Sequence, residues 1–299
     1  MDNEKKILNV VNIIKSYYSL DYEIVVVVSA LYGITDKISE LCDAIKKINR
    51  NSLNLFLRDM ENVHINLVEK VIHKEKDKQQ LLHLLKDLLN EFRDVLLGIS
   101  ILGDITPKYR DYLFSFGERL STPIVSFALK SAGINSVYMN GKEVGILTDS
   151  NFGDAKPLMD TTKLRVHHKI EPLIKQRIIP VVTGFIGCDQ NGNTTTIGRG
   201  GSDYSATIIA ASINANEVWL LGDVNGLMTA DIKIVRNAQV LEEISFSEAL
   251  ELSMFDSKYM HPRALEPVMD SKIAVRIRNA NNIDHPGTLI TQIPTLADR

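Results

Sequence analysis

A glycine-rich polar turn occupies residues 194–205, which read TTTIGRGGSDYS. It runs directly into the apolar spacing of residues 206–210, so the pattern predicts a strand that ends, a turn, and a helix capped by Ser202 or Asp203. Such a turn directs backbone N–H groups and the positive end of a helix dipole at one point, where Arg199 adds a guanidinium. The stretch therefore predicts an anion-binding site at the start of a helix.

The composition is that of an ordinary globular protein. The chain has 299 residues, of which 44% are hydrophobic and 24% charged, and its formal net charge is -3. This near-neutral balance argues against nucleic-acid partners and membrane surfaces, and the longest apolar run, residues 24–28, is far too short to span a bilayer. Cys42 and Cys188 are far apart and lack the spacing of metal ligands. We expect a cytoplasmic protein with reduced thiols and no protein metal site.

Buried-strand patterns alternate with helical periodicity along the chain. The predicted strands are residues 24–30, 136–140, 178–187, 217–224 and 273–279. A helix should begin at Thr35-Asp36, another should cover residues 119–132, and a charged, leucine-rich helical excursion should span residues 50–100. Cys42 and Trp219 are predicted to lie in the core. The alternation predicts one α/β domain over residues 1–299, with a mainly parallel central sheet between helical layers.

Six motifs occur together and in one order along the chain. They are residues 24–36 (IVVVVSALYGITD), 115–121 (SFGERLS), 180–187 (PVVTGFIG), 195–205 (TTIGRGGSDYS), 223–226 (DVNG) and 258–262 (KYMHP). Together they resemble the successive signatures of aspartate kinase, in the amino acid kinase superfamily. The resemblance implies the amino acid kinase fold, a dimer, and phosphorylation of the side-chain carboxylate of L-aspartate by ATP with Mg2+, the first step toward lysine, threonine and methionine.

The resemblance also assigns an amino acid site. Its substrate-binding residues would be Thr35, Glu118, Arg199, Gly200, Gly201 and Ser202. Arg199 would hold the α-carboxylate of aspartate with two parallel hydrogen bonds, and Glu118 would pair with the α-ammonium. Asp203 and Lys258 would be catalytic, with Asp203 orienting the substrate or ordering the metal-bound phosphates. From the residues alone, two alternatives stay open: Thr35 as a helix N-cap only, and Glu118 as the solvated partner of Arg119.

The nucleotide site implied by the resemblance departs from the family pattern. It would comprise Gly222, Asp223, Met228, Lys233 and Lys258. Asp223 would lie near the ribose or adenine, and Lys258 near the phosphates. The family's usual threonine, tyrosine and arginine are here Gly222, Met228 and Lys233, and methionine and lysine define geometry less sharply than tyrosine and arginine. We expect nucleotide recognition to be less sharply defined than amino acid recognition.

Both ends of the chain differ from the family pattern. The amino terminus lacks the Lys-Phe-Gly-Gly-Thr-Ser segment whose lysine and backbone amides hold the transferring phosphate, and the carboxyl terminus lacks regulatory domains. Loss of such a phosphate site predicts impaired turnover. Either the start lies upstream of Met1, or the chain is a divergent paralogue. Regulation would then come from a separate subunit.

Two other functions stay open at this point. One is an amino acid kinase acting on a related acceptor, because residues 222–233 are altered. The other is a non-catalytic subunit that binds aspartate or assists assembly, because the phosphate lysine is missing.

Overall fold

The computed structural model describes residues 4–46, 49–230, 234–255 and 260–294. The chain divides into two compact units, Met1–Gly198 and Arg199–Arg299. Each unit has its own cluster of buried apolar side chains. The two units are described separately below.

The first unit combines seven helices and five strands within its described residues. Its helices are α1 (Glu4–Ser19), α2 (Ile34–Ala44), α3 (Arg50–Val71), α4 (Glu75–Leu102), α5 (Pro107–Ser131), α6 (Gly141–Val144) and α7 (Met159–Lys175). Its strands are β1 (Val26–Val28), β2 (Ser136–Met139), β3 (Ile179–Thr183), β4 (Ile186–Cys188) and β5 (Thr194–Thr196). Helices α3 and α4 form the helical excursion that the sequence predicts.

Strand β3 is the centre of the larger sheet of this unit. It pairs in parallel with β1 on one side and β2 on the other, so that Val181 faces Val26 and Tyr138. All residues of β3 are buried, as expected for a parallel strand covered on both faces. The prediction of one strand over residues 178–187 was wrong, because Phe185 has a φ of 64° and separates β3 from β4. A non-glycine residue with positive φ cannot continue an extended strand.

Helix α5 passes through the middle of the first unit. It packs against α1, α2, α4 and the strands β1, β2, β3 and β5. Thr106 caps its first turn by accepting a hydrogen bond from the N–H of Tyr109, and Pro107 suits the first helical position. The helix is twelve residues longer at its start than the predicted 119–132, because it begins at Pro107 rather than at residue 119. Its buried polar residues are Asp111, Ser115, Glu118, Ser121, Thr122 and Ser126.

The second unit contains a four-stranded mixed sheet. Its strands are β6 (Glu217–Gly222), β7 (Glu243–Ser245), β8 (Ala274–Asn279) and β9 (Thr288–Thr291), in the order β6-β8-β9-β7. Its helices are α8 (Gly201–Ile213), α9 (Phe246–Phe255) and α10 (Glu266–Ser271), with a short 3₁₀ turn at Pro262–Ala264. Strands β6 and β8 are parallel, so their carboxyl ends lie side by side.

The two core predictions had different outcomes. Cys42 is buried on α2, as predicted. The prediction for Trp219 was wrong, because its side chain is half-buried in a strand that alternates rather than being buried throughout. Its ring is covered on one side by the guanidinium of Arg278, and its indole N–H donates to Glu217. One contact from the neighbouring strand β8 and one within β6 therefore hold Trp219 at the edge of the core.

No helix within the described ranges is long and apolar enough to cross a membrane.

Candidate functional site

Glu118 is a buried carboxylate in the interior of α5. Its side chain is 3% exposed, and its Oε1 atom accepts a hydrogen bond of 3.1 Å from the backbone N–H of Ala30. The Oε2 atom is buried and has no hydrogen-bond partner. Burial raises the pKa of Glu118 to about 8, because the charged form loses its hydration, and the bond from Ala30 offsets only part of this effect. The site therefore contains a carboxylate oxygen that lacks a donor.

The alternative that Glu118 is the solvated partner of Arg119 was wrong. The guanidinium of Arg119 instead donates to Glu91 on α4 at 2.7 Å and lies 4.2 Å from the centre of the Phe116 ring. Consecutive residues of a helix point about 100° apart, so a buried Glu118 and a partly exposed Arg119 follow from the helix geometry. Glu118 therefore does not pair with Arg119.

Thr35 lies close to the residue that precedes Glu118. A Cβ atom placed on Gly117 would lie 2.8 Å from Ala30 Cβ and 3.7 Å from Thr35 Oγ1, so α2 and α5 approach closely at this glycine. The prediction that a helix begins at Thr35 is off by one residue, because α2 begins at Ile34. The alternative of Thr35 as an N-cap was wrong, since the N-cap is Gly33 with a φ of 74°. Thr35 therefore does not cap α2.

The loop after β1 is tied to α5 by residues that the sequence analysis missed. Ser121 Oγ donates to the carbonyl of Ser29 at 2.8 Å, one residue before the Ala30 N–H that binds Glu118. Both contacts join residues about 90 positions apart in the chain. The position of Ser121 on the same helical face as Glu118 could have indicated a role for this serine. Nothing in the sequence indicates that its partner is the backbone carbonyl of Ser29.

The glycine turn adopts the backbone that the sequence predicts, with a different cap. Gly198 and Gly200 have φ values of 79° and 68°, and a Cβ atom on Gly200 would overlap His261 Cβ. The prediction that Ser202 or Asp203 caps the helix was wrong, because Gly200 is the N-cap and α8 begins at the buried Gly201. A residue in the left-handed region with no room for a side chain fixes the helix start.

Arg199 and Asp203 carry opposite charges without pairing. Arg199 is exposed, and the structure shows no hydrogen bond or ion pair of its side chain within the described residues. Asp203 lies in the first turn of α8, and burial alone raises the pKa of its carboxyl to about 6. Its carboxylate also has no hydrogen-bond partner in the described part of the chain. One cation and one anion are thus available to a ligand.

Two of the predicted nucleotide residues, Gly222 and Asp223, lie at the carboxyl end of β6. Gly222 ends this strand opposite Asn279 of β8, and Asp223 follows it. Asn279 Nδ2 donates to the carbonyl of Asp223 at 3.2 Å and to Asn225 Oδ1 at 2.9 Å. A Cβ atom on Gly222 would meet open space. The sequence analysis missed Asn279, although Asn279-Ala280-Asn281-Asn282 is a polar run that follows a strand.

Met228 is half-buried and forms a β-bridge with Val240. Its side chain therefore lies on a short two-stranded contact a few residues after Asp223. The predicted Lys233 and Lys258 lie outside the described residues. Thr35 and Glu118 belong to the first unit, while residues 199–203 and 222–228 belong to the second.

Comparisons with known proteins give a consistent result. The amino acid kinase family profile matches residues 1–279. The chain is 33% identical over 298 residues to a bifunctional aspartokinase/homoserine dehydrogenase of Buchnera aphidicola, covering 97% of this chain and 35% of that protein. It is 35% identical over 205 residues to the chloroplastic aspartokinase 1 of Arabidopsis thaliana, covering 68% of this chain and 36% of that protein.

A solved structure agrees with the sequence comparisons. E. coli aspartokinase III, solved with aspartate and ADP, superposes with a TM-score of 0.85 at 25% identity, covering 98% of this chain and 63% of that one. The chain spans about a third of the length of the two curated relatives named above. These matches confirm the α/β amino acid kinase fold and the resemblance to aspartate kinases. The chain belongs to the amino acid kinase family.

Proposed function

We propose that this chain phosphorylates the side-chain carboxylate of L-aspartate with MgATP and forms 4-phospho-L-aspartate. Support comes from relatives named aspartokinase and from the solved aspartokinase III, whose ligands are aspartate and ADP. The observation that carries the proposal for this chain is the buried Oε2 atom of Glu118, which has no partner. A buried carboxylate oxygen without a donor is costly unless a ligand supplies one.

The α-ammonium of an amino acid would supply that donor. An ammonium against Glu118 Oε2 would restore the missing hydrogen bond and place a positive charge beside a carboxylate that burial alone keeps largely neutral. Thr35 would contribute its hydroxyl near the same helix, since its Oγ1 atom already lies beside Gly117. This arrangement favours an amino acid over an acceptor without an amine.

Arg199 would hold the α-carboxylate. Its guanidinium is exposed and has no partner in the described ranges, so binding an anion would cost no existing ion pair. The N-terminal backbone of α8, from Gly200 to Ser202, would add N–H groups and the positive end of the helix dipole. A guanidinium and a helix N-terminus together suit a carboxylate rather than a neutral group.

The acceptor itself needs no general base. The side-chain carboxylate of aspartate is already ionised near neutral pH, so phosphoryl transfer to it depends on positioning and on neutralising negative charge. Asp203 offers hard carboxylate oxygens without a cation partner in the described residues, a donor type that suits Mg2+. Mg2+ carried with ATP would neutralise the phosphate charge there. Asp203 would orient the substrate or order the metal-bound phosphates. Lys258 is proposed as a further catalytic cation.

The nucleotide would lie beside the carboxyl ends of β6 and β8. Ligands of open α/β sheets bind at the carboxyl ends of parallel strands, and Asp223 occupies that place after β6. Gly222, Met228 and Lys233 complete the proposed nucleotide-binding set. Open space beside Gly222 leaves this part of the site roomy, which supports the expectation of loose nucleotide recognition.

An aspartyl phosphate trapping assay tests the proposed function. Hydroxylamine converts an acyl phosphate to a hydroxamate, so the wild-type chain should yield aspartyl hydroxamate only when both L-aspartate and MgATP are present. Hydroxamate from L-glutamate but not L-aspartate would favour the related-acceptor alternative. L-aspartate binding without hydroxamate would favour the non-catalytic subunit.

Location and assembly are also proposals. Cys42 and Cys188 are both buried, free thiols, which suits the proposed cytoplasmic location. We further propose one kinase domain over residues 1–299, a homodimer, and regulation by a separate subunit. Size-exclusion chromatography with light scattering would measure the mass of the particle in solution and so test the homodimer.

A further inference from the structure

Thr122 lies one helical turn beyond Glu118 on α5 and is also buried. Its side chain is 1% exposed, and its Oγ1 atom has no hydrogen-bond partner among the described residues. A threonine inside a helix commonly donates to the carbonyl four residues earlier, which here belongs to Glu118. That carbonyl instead accepts from Ser121 Oγ at 3.3 Å. The hydroxyl of Thr122 therefore carries a burial cost that no contact in the described part of the chain offsets.

The other fully buried polar side chains of α5 do have partners. The Oγ atoms of Ser115, Ser121 and Ser126 each lie 2.6–3.0 Å from another oxygen of the chain. The carboxylate of Asp111 accepts three hydrogen bonds from Gly153 and Thr196. Burial on this helix thus does not by itself leave a polar atom without a partner. The exceptions in this set are Thr122 Oγ1 and Glu118 Oε2.

These two oxygen atoms belong to side chains on one face of α5. Residues four apart in an α-helix point about 40° apart, and their Cβ atoms lie about 5–6 Å from each other. Each oxygen lacks a partner within the described ranges, so Thr122 and Glu118 do not bond to each other. Two hydrogen bonds of about 2.8 Å each span a similar distance. A single donor group between the two side chains can therefore contact both.

The two oxygens select for a cationic donor. Glu118 Oε1 already accepts from the backbone N–H of Ala30, so an ionised Glu118 needs one further donor at Oε2. A hydroxyl oxygen also accepts hydrogen bonds, and an ammonium offers three N–H donors and no acceptor. A water molecule has two donors but no charge to balance the carboxylate. An ammonium therefore suits this pair of oxygens better than water does.

We propose that Thr122 is a second binding residue for the α-ammonium of the amino acid substrate. Its hydroxyl accepts one ammonium N–H while Glu118 Oε2 accepts another. The pair then distinguishes an amino acid from a dicarboxylic acid that has no amine. This inference rests on the proposed function for the identity of the substrate. Both residues belong to the first unit, so this amine subsite requires no residue of the second.

Urea unfolding without ligand separates a hydroxyl kept for a ligand from a structural one. Thr122→Val keeps the shape of the side chain and removes a buried hydroxyl without a partner, so it should unfold at a higher urea concentration than the wild type. Thr162→Val is the matched control. Thr162 is 0% exposed, and its Oγ1 donates to the Leu147 carbonyl at 3.0 Å and accepts from the Leu147 N–H at 3.1 Å. This control should unfold at a lower urea concentration, and the same loss in Thr122→Val would overturn the inference.

Calorimetric titration compares L-aspartate with succinate, which has the same two carboxylates and no amine. Thr122→Val should weaken L-aspartate binding by about tenfold, the loss of one hydrogen bond to a charged group, and leave succinate binding within about twofold. Thr122→Ser keeps the hydroxyl and should bind L-aspartate within about threefold of the wild type. Equal losses for both ligands in Thr122→Val would show that Thr122 does not recognise the amine.

The outcomes separate this inference from the proposed function. If the wild type does not bind L-aspartate, the proposed function fails and the role of Thr122 fails with it. If the wild type binds L-aspartate and Thr122→Val binds it equally well, only the role of Thr122 fails. Should Thr122→Val not fold, Thr122→Ser and Thr122→Ala take its place, because they differ from each other only by the hydroxyl oxygen. Equal L-aspartate affinity in these two variants would overturn the inference.

Discussion

The backbone N–H of Ala30 donates to Glu118 Oε1 at 3.1 Å, while Glu118 Oε2 remains without a donor. The loop after β1 thereby fixes the direction of the carboxylate and leaves one oxygen for a ligand. Gly117 makes this approach feasible, because any larger residue there would crowd Ala30 Cβ at 2.8 Å. The central feature of the proposed site is thus built from a helix, a loop and one glycine of the first unit.

Proton release should accompany L-aspartate binding. Burial raises the pKa of Glu118 to about 8 without ligand, so the group is mostly protonated near pH 7, and pairing with an ammonium should lower this pKa and expel the proton. Apparent affinity should therefore rise with pH up to about 8, by up to tenfold per pH unit, and then level off. Calorimetry in two buffers of different ionisation enthalpy measures the released proton. Binding without proton release near pH 7 would refute this coupling.

Arg199→Lys should weaken L-aspartate binding by about tenfold or more, since lysine keeps the charge but loses the two parallel hydrogen bonds of the guanidinium. Its effect on the free energy of unfolding should stay within about 0.5 kcal/mol, because Arg199 is exposed and its side chain makes no hydrogen bond or ion pair within the described part of the chain. Arg236→Lys, another exposed arginine of the second unit, is the control and should change neither quantity. Equal L-aspartate affinity in Arg199→Lys would remove Arg199 from the site.

Gly200→Ala should destabilise the protein by about 1–3 kcal/mol, because alanine is strained at positive φ and its Cβ would overlap His261. Gly222→Ala is the matched comparison. Its backbone is not in the left-handed region and its Cβ would meet open space, so it should fold like the wild type. Urea unfolding measures both variants. Similar stability of the two variants would show that the turn at Gly200 relaxes easily.

Asn279→Ala should weaken MgADP binding by about three- to tenfold and leave L-aspartate binding unchanged. Of the three hydrogen bonds that it loses, two hold the Asp223–Asn225 turn, and each contributes about 1 kcal/mol to that turn. The side chain is only half-buried, so the variant should remain folded. Titration with each ligand separates the two sites. Normal MgADP binding by this variant would show that the Asp223–Asn225 turn does not contribute to nucleotide binding.

The sequence predicted the features that local pattern controls. The buried strand around Val181, the burial of Cys42 and the glycine turn before α8 all follow from periodicity and from the conformational freedom of glycine. Glu118 was found by its motif, and it is buried because the second half of α5 is buried on nearly all sides.

The features that the sequence did not predict depend on distant contacts. The N-caps of α2 and α8 are Gly33 and Gly200, not Thr35 and Ser202. A polar residue near the start of a helix does not show at which residue the helix begins. Asp111 is charged, so composition places it on the surface, yet Gly153 and Thr196 satisfy it in the core. Neither partner is near Asp111 in the chain.

Titration with L-aspartate tests whether Glu118 binds the α-ammonium. L-aspartate is titrated into the wild type, into Glu118→Gln and into the control Glu91→Gln, whose carboxylate pairs with Arg119 on the α4–α5 contact. We expect Glu118→Gln to weaken binding by about a hundredfold, because an amide cannot neutralise the buried ammonium, and Glu91→Gln to bind within about twofold of the wild type. Equal L-aspartate affinity in the wild type and Glu118→Gln would show that Glu118 does not bind the α-ammonium.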